Sequence, residues 1–590
     1  MHLATIDWVI IALFFILTMA IGLMVSRQAG SSSSEYFLGG RNMSWWLLGV
    51  SMVATTFSAD TPNLVTDIVR TNGVAGNWAW WAFLLTGMLT VFVYAKLWRR
   101  SGITTDLEFY ELRYSGPEAR FLRGFRALYL GIFFNVMIMA TVMLAGIKIG
   151  GILLGLSPME IVISVSVITV IYSSIGGFKG VIYTDFFQFA IAMAGMIWGC
   201  IYIVNMPEIG GLEALLSHPN VQPKLSIFPD FNNMEVLVPL LIIPIAVQWW
   251  SVWYPGAEPG GGGYIAQRML SAKDEKNAIT ATLFFNLAHY ALRPWPWILI
   301  ALASMIVFPE VSDIAKSFPN MDPKFVKDDL AFSAMLSFLP AGLLGLVIAA
   351  LIAALMSTIS THLNWGSSYV VNDFWQRFIH PEADEKELVN IGRISTVILM
   401  TLTVFMALLL ENALGSFNIL LQIGAGTGLL FILRWFWWRV NAMSEIVAML
   451  VSFAVALYMQ FVVGDTMFSH EKLIIGILIT TFAWVATAYL SKPTDQKVLI
   501  DFYKMIRPHG MGWKPVIAAG KAQGIITDES TRTGRLATEI LMMVLGCIGI
   551  YALLFGMGYV IYGQMVPALF SLVMAVGSGL LMKRLWSQIG

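Results

Sequence analysis

Apolar residues along this chain fall in long blocks of about 20, the length a helix needs to cross a hydrocarbon layer of roughly 30 Å at about 1.5 Å per residue. The blocks lie near 7–26, 44–70, 76–97, 125–153, 158–176, 181–205, 234–254, 276–304, 328–366, 391–411, 415–436, 439–463, 471–490, 534–558 and 563–583. Polar and charged residues gather between them. The pattern predicts an all-α polytopic membrane protein with about 15 transmembrane helices.

Composition agrees. Of 590 residues, 57% are apolar and 12% charged, against about 25% charged in a soluble domain, and the mean hydropathy is +0.73. The 36 basic and 36 acidic side chains cancel, which leaves no electrostatic footprint for a nucleic-acid partner. Cys200 and Cys547 both lie in apolar blocks, so neither a disulfide framework nor a metal cluster is expected. The partners expected are the lipid bilayer and a small organic solute, in a monomer or weak homo-oligomer.

Cytoplasmic loops retain Lys and Arg, which gives an orientation. Arg99, Arg100, Arg113, Arg120, Arg123 and Arg126 cluster between the third and fourth blocks. Counting onward, Arg268 with Lys273 and Lys276, Arg377 with Lys386, Arg434 with Arg439, and the stretch from Lys492 to Arg535 fall on the same side. With an odd number of spans, the N-terminus is expected outside and the C-terminus in the cytoplasm, in a plasma membrane such as a bacterial inner membrane. Met206–Asn233 and Phe308–Lys327 then face out, although the second carries Lys316, Lys324 and Lys327. The first block opens with His2 and Asp7 instead of a basic region and reads as a retained span, not a signal peptide. The insert 491–533 has too few apolar residues for a core of its own and is expected to pack on the inner face.

Polar groups inside a span cost several kcal/mol unless partnered, so spans that carry them mark function. In 51–70, SMVATTFSADTPNLVTDIVR, the residues Thr55, Thr56, Ser58, Asp60, Thr61, Pro62 and Asn63 fall in mid-span. Pro62 lacks a donor and predicts either a break that frees carbonyls near 58 and 59 or a simple kink. In 246–268, Pro255, Gly256, Pro259 and Gly260 to Gly263 rule out a continuous helix. That segment is either a surface loop or the unwound middle of a discontinuous helix, with Gln248, Trp249, Trp250 and Trp253 suited to a polyhydroxylated or amphipathic ligand. In 353–368, Ser357, Ser360 and Thr361 share a helix face. Converging hydroxyls suit a small hard cation, and also close helix packing. Asp185 lies near the start of an apolar block and, if buried and ionised, needs a positive partner: Lys179 or a bound sodium ion.

The first interrupted helix opens a block of five spans over 44–205, and the second opens another, over 206–436, in the opposite orientation. Inverted five-plus-five repeats with discontinuous first and sixth core helices are the architecture of alternating-access transporters. The remaining chain divides into an extra helix and linker over 1–43, accessory helices over 437–490, the loop 491–533, and two helices with a tail over 534–590.

Four segments carry a resemblance. EYFLGGRNMSWWLLGVSMVATTFSAD, YSSIGGFKGVIYTDFFQ, YIAQRMLSAKDEKNA and AALMSTISTHLNWGSSYVVNDFW are similar, in order, to motifs of the sodium/solute symporter family, whose bacterial members carry galactose, proline and sialic acid. The resemblance covers roughly residues 5 to 490 and implies the inverted-repeat fold and sodium-driven uptake of a small organic solute. It further implies a main sodium site of the Ala54, Phe57 and Ala354 carbonyls with the Ser357 and Thr358 hydroxyls. A second site would comprise Asp185, Ser357, Ser360 and Thr361, giving two sodium ions (Na+). Tyr264 matches the family's inner-gate tyrosine, and Arg293 falls near a lysine that some sugar-carrying relatives use. Two departures stand out: Gly262 and Gly263 replace a polar pair before the tyrosine, and Thr56 stands where proline-carrying relatives have aspartate. Asp60, Thr61, Gln248, Trp249 and Gln422 complete the candidate solute site, and Glu258 is either an inner-gate charge or part of a loop.

The reading expected from these features is a sodium-coupled symporter for a sugar or polyol-like compound, with amino acids or carboxylates as the alternative cargo. Rivals of another kind are a proton-coupled transporter and a membrane nutrient sensor. An enzyme is not expected, because His289 and His362 show no ligand spacing and no nucleophile and base cluster together.

Overall fold

A computed structural model describes residues 3–29, 32–251, 258–319, 321, 323, 326–409, 424, 426–527 and 536–589. Among these the chain is helical, with no β-strand beyond a backbone bridge between Met43 and Ala272. Among the described residues, eleven helices are long and apolar enough to cross a membrane. Three shorter apolar helices, Trp45–Thr56, Pro158–Ile171 and Met234–Ala246, fall where further spans were expected. The block expected over 415–436 lies partly outside the described residues, and 426–433 are helical.

Helix α1 (Thr5–Ala29) precedes a core whose first span is split into α2 (Trp45–Thr56) and α3 (Thr61–Asn72). The cause of the split is local. Thr55 and Thr56 turn their hydroxyls back onto the carbonyls of Ser51, Met52 and Val53, at 2.9–3.1 Å. Phe57 leaves helical geometry with φ −87° and ψ 73°, its N–H closing onto the Val53 and Ala54 carbonyls. Pro62 sits in the first turn of α3, where no donor is needed. The proline therefore starts the second half-helix, and the break precedes it.

Next come α4 (Val74–Ser101), α5 (Gly116–Leu153) and α6 (Pro158–Val204). The last is two spans joined at Gly177, whose φ of 53° and ψ of −154° turn the chain. After the segment 205–233, α7 (Met234–Ala246) ends and α8 (Gly263–Ser271) begins. The described residues between them are non-helical apart from one turn at Gln248–Trp250. The sixth core span is therefore discontinuous. Its glycines are buried, not a surface loop: Gly260 and Gly261 have φ of 89° and 91°, and the Trp98 indole N–H donates to the Gly260 carbonyl at 2.8 Å. Pro255, Gly256 and Trp253 lie outside the described residues.

Then follow α9 (Glu275–Val307), α10 (Leu343–Ile379) and α11 (Glu385–Leu409), and beyond 426–433 come α12 (Ala442–Val463) and α13 (Ser469–Leu490). The span expected over 328–366 starts later, at Leu343, because Pro340 and Gly342 (φ 85°) turn the chain after a short helix, Leu330–Leu336. Two short helices, α14 (Gln496–Ile506) and α15 (Lys514–Ala522), precede α16 (Leu536–Ile561) and α17 (Met565–Leu585).

Small residues let the central spans approach closely. A Cβ added to Gly195 of α6 would stand 2.9 Å from that of Ala350 on α10, and one on Gly49 of α2 would stand 2.9 Å from the Ala281 carbonyl of α9. The most apolar window of α10 is 83% buried, against 17% for α17, which places α10 at the centre and α17 against lipid.

All the basic clusters meet at one end of the bundle. Arg100 pairs with Glu275 at 2.9 Å, Arg123 with Asp373 at 2.7 Å and Arg377 with Glu111 at 2.7 Å. Segment 491–527 packs on this end: the Trp513 indole donates to the Trp435 carbonyl at 2.9 Å, and Arg100 donates to the Ile506 carbonyl at 2.8 Å. Lys96 and His509 both reach Glu539 at 2.6 Å, which ties α4 and this segment to α16. One expectation needs correction here. Arg113, Arg126, Arg268 and Arg434, expected as loop charges, are at most 4% exposed, because the helices run on past the apolar blocks and bring carboxylates, carbonyls and hydroxyls to them.

Candidate functional site

The break after α2 faces α10, and hydroxyls span the gap. Thr358 donates to the Thr55 carbonyl at 2.8 Å and to the Ala354 carbonyl at 3.1 Å. The Thr55 and Thr361 hydroxyls meet at 2.9 Å. Ala54, Phe57, Ala354, Ser357 and Thr358 are all nearly inaccessible, at 1–3% exposure. The Thr55 carbonyl has thus left the helical ladder and faces hydroxyls of a neighbouring span, whereas the Ala54 carbonyl, expected as an ion ligand, still accepts from the Phe57 N–H at 3.1 Å. Neutral oxygens gathered in this way are of the kind that suits a small hard cation.

Below it lies a second cluster. Asp185 accepts from Ser357 at 2.6 Å and from Ser51 of α2. Its charged neighbour is Arg268 of α8, whose Nη2 stands 3.6 Å away. The guanidinium also donates to Ser51 at 3.0 and 3.2 Å and to Thr361 at 2.8 Å. Arg268 is thus the positive partner that Asp185 requires. Lys179, the partner anticipated from its nearness in sequence, pairs with Glu35 at 2.8 Å. Of the residues expected at a second sodium site, Asp185, Ser357 and Thr361 come together. Ser360 turns its hydroxyl to the Ser357 carbonyl at 3.1 Å, away from that group. Ser51, Thr55 and Arg268 were not among the expected residues. Ser51 and Thr55, with Ser58, form an i, i+4, i+7 polar stripe that the sequence does display. Gln188, one turn beyond Asp185 on the same face, is 1% exposed, and neither of its amide atoms has a partner among the described residues.

On the other side of the break, Arg293 of α9 is 1% exposed and lies 5.3 Å from the centre of the Trp297 ring. It reaches the Val53 carbonyl at 3.4 Å and the His289 carbonyl at 3.3 Å and contacts the His289 ring. The His289 Nδ1 stands 3.1 Å from the Thr56 hydroxyl. Among the described residues no carboxylate pairs with Arg293, so this buried cation is held by neutral groups alone. Asp60 and Thr61 are half-buried at the start of α3, where Asp60 accepts from Ser58. Gln248 donates to the Ala79 carbonyl at 2.8 Å, and the Trp249 carbonyl accepts from Thr86. Both anchor the end of α7 to α4. Gln422 lies outside the described residues.

Tyr264, 2% exposed, stands beneath the break on α8, its ring 5.7 Å from the Arg268 guanidinium. Asp106 holds the start of α8 by accepting from the Gly263 N–H at 2.9 Å, and the Tyr369 hydroxyl donates to the same carboxylate at 2.5 Å. Glu258 is placed as well. It pairs with Arg126 of α5, and Arg434 stands 3.5 Å from it and 3.6 Å from Glu445. This buried chain of charges joins α5, the sixth core span, the segment after 426–433 and α12.

The pattern of the sodium:solute symporter family matches residues 36–484. A sodium/glucose cotransporter of Vibrio parahaemolyticus is 24% identical over 512 residues, covering 84% of this chain and 91% of the relative. A sodium/myo-inositol cotransporter of Canis lupus familiaris is 28% identical over 479 residues, covering 74% of this chain and 64% of the relative. Among solved structures, a substrate-bound, outward-open Na+-coupled sialic acid symporter aligns with a TM-score of 0.67 at 20% identity, over 83% of this chain and 99% of the other. That likeness is one of fold. A match that runs from the linker before α2 into α13, on a fold of this kind, means that the chain belongs to the sodium:solute symporter family.

Proposed function

We propose that the protein is a sodium-coupled symporter that imports a sugar or polyol-like solute by alternating access, with sodium carried between the broken end of α2 and α10. The observation that carries this reading is the bridge from Thr358 to the Thr55 carbonyl at 2.8 Å, which sets hydroxyl and freed carbonyl oxygens on opposite sides of one gap. A sodium ion received there ties the two helices together. That closure completes a solute cavity formed by Asp60, Thr61, Gln248, Trp249 and Arg293. The relatives named for glucose and myo-inositol support a polyhydroxylated cargo.

Asp185 is the proposed ligand of a second ion, with Ser357 and Thr361. In the present arrangement Arg268 neutralises it at 3.6 Å, so ion and guanidinium are alternative partners of one carboxylate. An ion arriving at Asp185 releases Arg268, and α8 with it. The inner end then opens past Tyr264 as the Arg126–Glu258–Arg434 chain separates. The basic end is taken as cytoplasmic and the N-terminus as outside, so ions leave into low sodium. Each net charge moved inward gains roughly 2.3 kcal/mol per 100 mV of membrane potential.

Arg293 favours a second reading of the cargo. A buried guanidinium without a carboxylate suits a solute that brings one, which makes an acidic sugar or other carboxylate the alternative. The test is a thermal-shift and counterflow screen of the purified protein against sugars, polyols, sugar acids and amino acids, each in sodium and in potassium. The proposal expects sodium-dependent stabilisation and exchange by a sugar or polyol. Response to sugar acids alone selects the second reading, and response to neither in sodium sinks both.

A further inference from the structure

A cavity of about 330 Å³ lies between α1, α5, the first half of α6 and α10, and none of the ion and solute groups described above lines it. Its floor is apolar and buried: Ile149, Leu153, Leu351 and Leu355 are at most 6% exposed, and Ala59 forms part of it. Ala59 is itself a residue of the break between α2 and α3. The rim carries Trp8 and Ala12 of α1 and Ser164 of α6, all exposed. The flanking surface is apolar too, with Leu13 52%, Ile163 50% and Val167 52% exposed. Trp8, Ala12 and Leu13 lie on α1, which is long and apolar enough to cross a membrane, and Ile163, Ser164 and Val167 lie on the apolar helix Pro158–Ile171, a setting that puts hydrocarbon at the mouth.

From this position we infer that the cavity is a binding site for the acyl chain of a phospholipid, taken from the leaflet on the side of the chain's N-terminus. Water does not fill such a space, because an apolar lining offers it too few hydrogen-bond partners. Left empty, the cavity forfeits the dispersion contacts of its whole lining. The bilayer supplies a flexible apolar chain directly at the rim, and Trp8 stands there as an interfacial anchor. The headgroup stays outside, since Ser164 is the one hydroxyl in the lining. Because the floor includes Ala59, a chain in the cavity packs against the back of the helix break, and lipid occupancy is felt where the proposed sodium site lies. The site goes beyond the proposed transport function and does not depend on it.

The experiment reconstitutes the full chain in vesicles containing a phosphatidylcholine with a photoreactive diazirine near the end of one acyl chain, followed by irradiation and peptide mapping. Labelling of floor residues in 149–153 and 348–355 is expected. Ala12→Trp, which fills the rim, lowers that labelling several-fold. Leu17→Trp, on a lipid-facing part of α1 outside the cavity and 46% exposed in the native chain, leaves it unchanged. Labels confined to outward residues such as Leu13 and Ile163, or floor labelling that persists in Ala12→Trp, overturn the inference. Because labelling needs no transport, a failed transport assay leaves this result standing by itself.

Discussion

Arg268 stands 3.6 Å from Asp185, with neither side chain exposed, at the point where the two discontinuous helices and α10 converge. A salt bridge of this kind contributes little net stability, because desolvating two charges offsets most of their attraction, yet removing one partner strands the other. The pair is therefore better placed to switch than to stabilise.

Replacing Arg268 with methionine leaves Asp185 buried and unpaired, which costs about 3–5 kcal/mol when nothing takes the guanidinium's place. Under the proposed mechanism sodium takes that place. Arg268→Met should melt well below the native protein in potassium, and sodium should restore far more of its melting temperature than it adds to the native chain. Equal losses in both salts contradict the exchange. Asp185→Asn takes away the carboxylate for which ion and guanidinium compete and strands Arg268 instead, so it should melt below the native protein in sodium and potassium alike and reduce the number of sodium ions moved per solute.

Thr358 reaches across the helix break through a single hydroxyl. Thr358→Val keeps the shape and removes the oxygen, a loss of about 1–3 kcal/mol where the remaining oxygens stay buried. Half-saturation of uptake by sodium should rise about tenfold or more, whereas Thr358→Ser should stay near the native value. A sodium titration of uptake separates these outcomes; identical curves for valine and serine remove Thr358 from the ion site.

Arg293 is assigned to solute and not to ion. Arg293→Gln keeps donors toward the Val53 carbonyl but drops the charge, so solute affinity should fall about tenfold while sodium binding without solute is unchanged. Calorimetric titration of each ligand in turn reads this split directly. Loss of sodium binding in the variant moves Arg293 to the ion site.

At the basic end, Glu258 lies between Arg126 and Arg434. Removing its charge with Glu258→Gln sets two buried guanidinium groups against each other and should loosen that end. A thiol at position 264, introduced as Tyr264→Cys, should react faster with a membrane-impermeant reagent added from that side when Glu258→Gln is also present. An unchanged labelling rate argues that the charge chain is not part of a gate.

Much of the fold was legible because a polar residue inside an apolar run is conspicuous. Thr55 to Asn63 announced the first break, and the spacing of Ser357, Ser360 and Thr361 announced a hydroxyl face on α10. What sequence pattern could not supply is pairing between distant segments. Arg268, beside Lys273 and Lys276, has the look of a loop charge, and only the return of α8 toward α6 brings it to Asp185. Arg126, Glu258 and Arg434 went unrecognised as a group for the same reason. The position of Pro62 was informative in a different way from the one expected: it marks the first turn of α3, while the break is made by Thr55, Thr56 and Phe57. Ser360 shows the limit of face arithmetic, since a hydroxyl on the right face can still bond to its own helix.

The central claim is that solute movement is coupled to sodium held between α2 and α10. Its most direct test is uptake into proteoliposomes of the solute identified by the screen, under an imposed inward sodium gradient. The account predicts accumulation above the external concentration that disappears when the sodium gradient is collapsed or potassium replaces sodium, persists when the pH gradient is collapsed, and is severely reduced in Thr358→Val at the same sodium concentration. Uptake that is indifferent to sodium and follows an imposed proton gradient contradicts it.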